Sequence, residues 1–246
     1  MDNMYMGEDD LIYNTATRLP VCLCIDTSGS MTAKDGGDKS RMQRVKEGIQ
    51  SLYKEIENDD MTRDSAEIAI VGFSTEAYVI QDFKTIDFVD QNPHIEAHGK
   101  GDLGLGVLKA LELLQQRKNT YKANGVDYYQ PWLIIMSDGH PTGDGDVKVP
   151  LRKAQEQVIE LEKGNKLTVI PVFIGRQEEG VDLEDLDQKA DQYLSAFSNK
   201  NDPYQIKGAT NFSRFFTWLG QSVSQAQGNA GQVNLTFAEL TDWDEI

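Results

Sequence analysis

The chain has 246 residues, of which 39% are apolar and 9% aromatic, so it can build a sizeable core and wholesale disorder is excluded. Its formal net charge is -16, from 40 acids against 24 bases; such a chain repels phosphate backbones and anionic lipid, which argues against nucleic acid and membrane surfaces as partners. No apolar run approaches the roughly 20 residues a membrane helix needs, and the N-terminal MDNMYMGEDDLIY has neither the basic start nor the apolar stretch of a secretory signal.

In chain order, residues 1–17 read as an acidic extension. PVCLCI (20–25) is a continuous apolar run bounded by Pro20 and a DTSG turn, the pattern of a central strand buried on both faces. Its cysteines, Cys22 and Cys24, alternate along that strand and share a face. They are poorly placed for a disulfide and too few for a zinc site, so they read as buried apolar residues in a reducing, cytoplasmic compartment. After the polar TAKDGGDKSR loop, Met42, Val45, Ile49, Leu52, Tyr53 and Ile56 recur at helical steps. AEIAIVGF (66–73) is a second strand, and AYVIQDF (77–83) pairs with it as an antiparallel hairpin. Leu103, Val107, Leu108, Leu111 and Leu114 form the next helical stripe. PWLIIMS (131–137) is another apolar strand, and it runs into Asp138.

Residues 151–163 read as a helix stopped by Gly164 and Asn165, and KLTVIPVFIG (166–175) as a strand. Leu183, Leu186, Ala190, Tyr193, Leu194 and Phe197 form a further stripe, PYQIK a short edge strand, and Phe212, Phe215, Phe216, Leu219 and Val223 a last helix. Alternating strands and helices of this kind predict an α/β domain over 18–225: a doubly wound, mostly parallel sheet with one antiparallel edge strand. Residues 226–246 read as a small, polar and then acidic tail, either a free terminus or a docking segment carrying Phe237, Leu240 and Trp243.

In a sheet of this type, ligands gather at the carboxyl ends of the strands. Asp26 and Asp138 end the two most continuously apolar strands. If those strands are neighbours, the two carboxylates converge, repel and rise in pKa, and a divalent cation resolves the conflict. Carboxylate and hydroxyl oxygens suit a hard ion, Mg2+ or else Mn2+ or Ca2+. Ser28 and Ser30 follow Asp26 by two and four residues in IDTSGSMT and could turn both hydroxyls onto such an ion. The spacing equally allows Ser28, Ser30 and Thr32 to cap backbone N–H groups of a loop or helix start. Solvated loops are the plain reading of Asp35 and Asp38 and of Asp144 and Asp146, and His94, His98 and His140 are not at metal-ligand spacing.

DTSGS after an apolar strand, with IIMSDGHPTG some hundred residues later, resembles the von Willebrand factor type A domain, over residues from about 18 to 225. The resemblance implies a Rossmann-like fold and a metal-ion-dependent adhesion site. Its Asp-x-Ser-x-Ser pattern falls on Asp26, Ser28 and Ser30, and its later strand-ending aspartate on Asp138. LPVCLCIDTSGSM, SDGHPTGD and FSRFFTWLGQSVS resemble most the bacterial intracellular TerY/YegL-like subgroup, linked to tellurite resistance and stress response. One part departs. The family's threonine loop typically reads Gly-Gly-Thr-x-Leu-Gly, whereas HGKGDLGLG puts Gly101, which has no side-chain ligand, at the threonine position. Water could fill the gap, the neighbouring Asp102 could swing in, or the site could be degenerate. Asp102 is also well placed as a solvent-facing acid at a helix start, and His140 could line the rim or be a plain surface residue.

The expected function is a protein-binding module, not an enzyme, whose metal takes an Asp or Glu from a partner. By the resemblance, that partner is a kinase or phosphatase of the same gene cluster. A metal-independent scaffold is the alternative. The least favoured reading is a phosphoryl-transfer enzyme with Asp26 as nucleophile: haloacid-dehalogenase-type phosphatases carry a second aspartate two residues on, where this chain has Ser28.

Overall fold

The apolar run that leads into Asp26 forms the middle of a six-stranded sheet. In this computed structural model, residues 11, 14–34, 37–139, 141–142, 146–175, 192–206 and 209–228 are described. Strand β1 (Leu19–Asp26) pairs in parallel with β2 (Ala66–Phe73) on one side and with β4 (Trp132–Ser137) on the other. Beyond β4 lie β5 (Thr168–Ile174) and the short β6 (Tyr204–Ile206), both parallel. The opposite edge is β3 (Ala77–Thr85), antiparallel to β2, so the order is β3-β2-β1-β4-β5-β6. Every residue of β1, β2 and β4 is buried, which explains why their sequences are unbroken rather than alternating.

Helices cover both faces. On one face, Val21, Leu23 and Ile25 pack with Val45, Ile49 and Leu52 of α1 (Arg41–Glu57) and with Phe215, Phe216 and Leu219 of α5 (Ala209–Gly228). The approach of these two helices is close: a Cβ on Gly48 would stand 2.1 Å from the Phe216 ring. On the other face, Cys22 and Cys24 meet Val107 and Leu111 of α3 (Leu103–Asn124), Leu151 and Val158 of α4 (Lys148–Lys163), and Leu194 and Phe197. Both cysteines are free and buried on the face they were expected to share.

Differences from the sequence reading are local. The first strand includes both Pro20 and Asp26, and α4 begins at Lys148, with Pro150 in its first turn, where a rigid φ is tolerated. The short helix α2 (Asp60–Ser65) was not anticipated; six residues are too few to show a period, and its signal is the Asp59 cap, whose carboxylate accepts from Thr62 N at 2.8 Å. Leu183, Leu186 and Ala190, most of the 1–17 extension and nearly all of the tail lie outside the described residues.

At the amino end of the sheet, Glu67 is fully buried and receives both Nε and Nη2 of Arg117, at 2.6 and 2.7 Å, and the Tyr121 hydroxyl. Arg18 stands 3.7 Å from the same carboxylate and donates to the Asp64 carbonyl at 2.7 Å. Among the described residues no helix is long and apolar enough to cross a membrane.

Candidate functional site

Because β1 and β4 are neighbours in parallel register, with Ile25 opposite Met136, Asp26 and Asp138 both emerge at the carboxyl end of the sheet. Both are buried, 3% and 2% exposed. Asp26 Oδ1 accepts from the Ser28 backbone N–H at 2.8 Å, and Oδ2 from the Ser137 hydroxyl at 2.7 Å. Ser28 Oγ lies 2.9 Å from Ser30 Oγ, and Ser30 Oγ donates to Asp138 Oδ1 at 2.8 Å. Asp26, Ser28, Ser30 and Asp138, separated by up to 112 positions in the chain, thus form one connected cluster.

The local backbone settles how the serines are used. Gly29–Thr32 is a 3₁₀ turn with Ser28 at its cap position, yet Ser28 makes no side-chain cap bond. Thr32 does not cap an N–H group either: its hydroxyl donates to the Gly29 carbonyl at 2.7 Å. Ser28 and Ser30 are therefore turned toward the carboxylates, Ser28 buried and Ser30 open to solvent.

Electrostatics at the cluster are strained. Asp26 has its pKa pushed up to about 6, first by burial and then by the charge of Asp138, with the Ser28 and Ser137 hydrogen bonds opposing. Asp138 has a partner that the sequence reading missed. Arg41, the first residue of α1 and 2% exposed, donates from Nη1 to Asp138 Oδ2 at 2.7 Å. The only signal for it in the sequence is a basic residue at a helix start, where the dipole disfavours it. Ser137 was missed because it reads as an ordinary strand residue.

Gly101 faces the cluster without adding to it. A Cβ there would stand 3.4 and 3.5 Å from the two Asp26 carboxylate oxygens and 3.5 Å from Ser28 Cβ, so this position faces the cluster but contributes no side chain. Thr142, also missed, brackets the same glycine: Gly101 N donates to its hydroxyl at 3.1 Å, and Thr142 N donates to the Gly101 carbonyl at 2.8 Å.

Asp102 requires a correction. It is not a solvent-facing acid: it is the N-cap of α3, 7% exposed, and its Oδ1 accepts from Leu105 N at 3.1 Å. Burial raises its pKa, and the hydrogen bonds from the helix N–H groups oppose the rise. His140, Asp35 and Asp144 lie outside the described residues. Asp38 is exposed and Asp146 accepts from Lys148 N at 3.1 Å, as expected of loop positions, and His94 is exposed beside Glu96.

The donor set fits a hard divalent cation. Two carboxylates converge with two hydroxyls in reach, and the Arg41 guanidinium already stands in as a cation on one carboxylate. Among the described residues no group of three or more His, Cys, Asp or Glu could hold a metal, so the remainder of any coordination shell would fall to Ser28, Ser30 and water.

Residues 21–140 match the family model of the von Willebrand factor type A domain. No curated protein matches the sequence. Among solved structures, the PilB minor pilin from Streptococcus sanguinis aligns at TM-score 0.59 and 15% identity, over 87% of this chain and 62% of that one. A von Willebrand factor type A protein from Catenulispora acidiphila aligns at 0.56 and 18% identity, over 85% and 43%. Proximal thread matrix protein 1 from the mussel byssus, in a structure with a zinc-occupied MIDAS motif, aligns at 0.50 and 16%, over 85% and 48%. The chain therefore spans less than two thirds of these proteins' lengths, and at such identities the likeness shows the fold.

Proposed function

From a von Willebrand factor type A fold carrying this cluster, we propose a protein-binding module with a metal-ion-dependent adhesion site at the sheet top. The observation that carries the proposal is the convergence of Asp26 and Asp138 with the Ser28 and Ser30 hydroxyls turned onto them. These four residues would hold Mg2+, or else Mn2+ or Ca2+. Such an ion supplies an electrophilic point that takes an Asp or Glu side chain from a partner protein. A centre with two carboxylates and neutral hydroxyls keeps such an ion electron-poor. Recognition is favoured over catalysis because both Asp26 oxygens are engaged by donors, which suits a fixed ligand better than an attacking nucleophile.

We further propose, on the three segments resembling the TerY/YegL-like subgroup and on two unpaired buried thiols, a cytoplasmic role in a stress-response or tellurite-resistance-like system, with a kinase or phosphatase as partner. The test is calorimetric titration of Mg2+ into metal-stripped wild type and Asp26→Ala, with Mn2+ and Ca2+ for comparison. Saturable binding that the variant loses is expected. No saturable binding of any of the three ions to wild type would overturn the metal reading. A metal-independent scaffold is the second reading, favoured by Gly101 and by the pairing of Asp138 with Arg41; it requires that Asp26→Ala retain partner binding.

A further inference from the structure

We propose that Arg41 is a built-in competitor for the metal centre: its guanidinium holds Asp138 until a divalent cation claims that carboxylate, and loading the site releases it. This rests on the metal reading given above and specifies what regulates the site and which ligands it selects.

The argument begins with position. Arg41 reaches Asp138 Oδ2 at 2.7 Å, while Asp138 Oδ1 is taken by Ser30. Both oxygens of the strand-ending carboxylate are thus occupied by donors from this chain. Each Asp26 oxygen likewise accepts one hydrogen bond, from Ser28 N and from Ser137 Oγ. The Ser30 and Ser137 hydroxyls can rotate their protons away and offer lone pairs. A guanidinium cannot, since it has five donors and no acceptor. It is the one side-chain donor in the cluster that cannot become a ligand, and its positive charge at Asp138 Oδ2 opposes a dication on that carboxylate.

Charge then sets the consequence. Asp26, Asp138 and Arg41, all ionised, sum to one negative charge. Adding a dication makes the sum one positive charge. Without Arg41, the loaded centre would be neutral. The arginine therefore weakens ion binding and makes the loaded face attractive to an acidic partner segment, so metal loading reverses the sign of the sheet top.

The fold allows the side chain to move while its helix stays put. Ser40 and Gln43 form a reciprocal capping box around the start of α1, with Gln43 N donating to Ser40 Oγ at 3.2 Å and Ser40 N to Gln43 Oε1 at 2.8 Å. The Arg41 backbone N–H donates to the Ala33 carbonyl at 2.9 Å. Release is then a rotamer change about an anchored backbone, not a melting of the helix.

The experiment is a calorimetric Mn2+ titration of wild type and Arg41→Gln, with thermal unfolding in chelator and in saturating Mn2+. Arg41→Gln is expected to bind Mn2+ at least tenfold more tightly, to melt below wild type in chelator, and to gain more from Mn2+ than wild type does. Equal or weaker Mn2+ binding by the variant overturns the competitor role and leaves the metal reading standing. Saturable binding by neither protein overturns both. A measurement on the wild type guards against a variant that fails to fold. The Arg41 Nε–H resonance, assigned by its loss in Arg41→Lys, should be protected from solvent exchange in chelator and lose that protection as Mg2+ saturates the site. Protection that persists at saturation overturns the proposal.

Discussion

Asp26 carries the sharpest consequence at the scale of single residues. Its pKa in the fold is raised to about 6 from an ordinary 3.8, so the folded state binds a proton more tightly than the unfolded chain. The metal-free protein should then lose stability as pH rises from about 4 to about 6 and level off above, by at most about 3 kcal/mol. Asp26→Asn keeps an acceptor for Ser28 N and removes the buried charge. In chelator at pH 7 it should be more stable than wild type by about 1–3 kcal/mol, with the acid slope flattened and stabilisation by Mg2+ abolished. Urea unfolding between pH 4 and 7 reads all of this, and a variant that keeps the wild-type slope would assign the slope to another group. Gly101 gives the complementary test. Its φ is not positive, and a Cβ there meets Asp26 oxygens and Ser28 Cβ only at ordinary contact distance, 3.4 to 3.5 Å. Gly101→Thr should be tolerated and, by adding a hydroxyl facing the cluster, should tighten Mg2+ binding by about tenfold, roughly 1.4 kcal/mol. Unchanged affinity by calorimetry would mean that the added hydroxyl does not reach the ion.

At the scale of elements, the site depends on how closely two helix starts approach each other. A Cβ on Gly104 would fall 2.3 Å from Leu151 N and 2.5 Å from the Pro150 carbonyl carbon, both backbone atoms that cannot rotate away. Gly104→Ala must push α3 from α4, and α3 begins immediately after Gly101 and Asp102. Gly48→Ala instead meets the Phe216 ring on the opposite face of the sheet. Overpacking in either place should cost about 1–3 kcal/mol, but only Gly104→Ala should weaken Mg2+ binding as well. The same contrast explains what could be read from sequence. Parallel strands place their carboxyl ends together by construction, so two apolar runs ending on Asp26 and Asp138 were enough to bring four site residues to one place. Arg41 belongs to a helix, and its pairing with Asp138 spans 97 positions. No periodicity reports how far a guanidinium reaches. Thr142 was invisible for a related reason: it meets the cluster through the backbone of Gly101, and backbone contacts leave little trace in residue type. Asp102 was found as a helix-start acid but given the wrong surroundings, because burial of a cap depends on which helix lies next to it.

Among the described residues of the whole molecule, two of the charged centres lie near opposite ends of β1. Arg18 and Glu67 lie at the amino end, Asp26 and Asp138 at the carboxyl end, and the 8 residues of β1 separate them by about 26 Å at ~3.3 Å per residue. The first centre is a buried network in which Glu67 satisfies Arg117 and Tyr121 and faces Arg18. Glu67→Gln keeps the shape but leaves guanidinium charge buried without its counter-ion, at a cost of about 3 kcal/mol or more. The second centre is the reverse case, because its carboxylates outnumber its internal cation and removing one of them relieves the fold. Changes more than about 10 Å apart with no shared partner add to within about 0.5 kcal/mol. The double variant Glu67→Gln with Asp26→Asn should therefore unfold, in chelator at pH 7, at the sum of the two opposite single effects. Glu67→Gln alone should leave the Mg2+ dissociation constant within about twofold of wild type. A coupling well beyond that additive limit, or a shifted dissociation constant, would mean that the central strand transmits strain between its ends. The amino-end network would then be a second input to the metal site as well as an anchor of the fold.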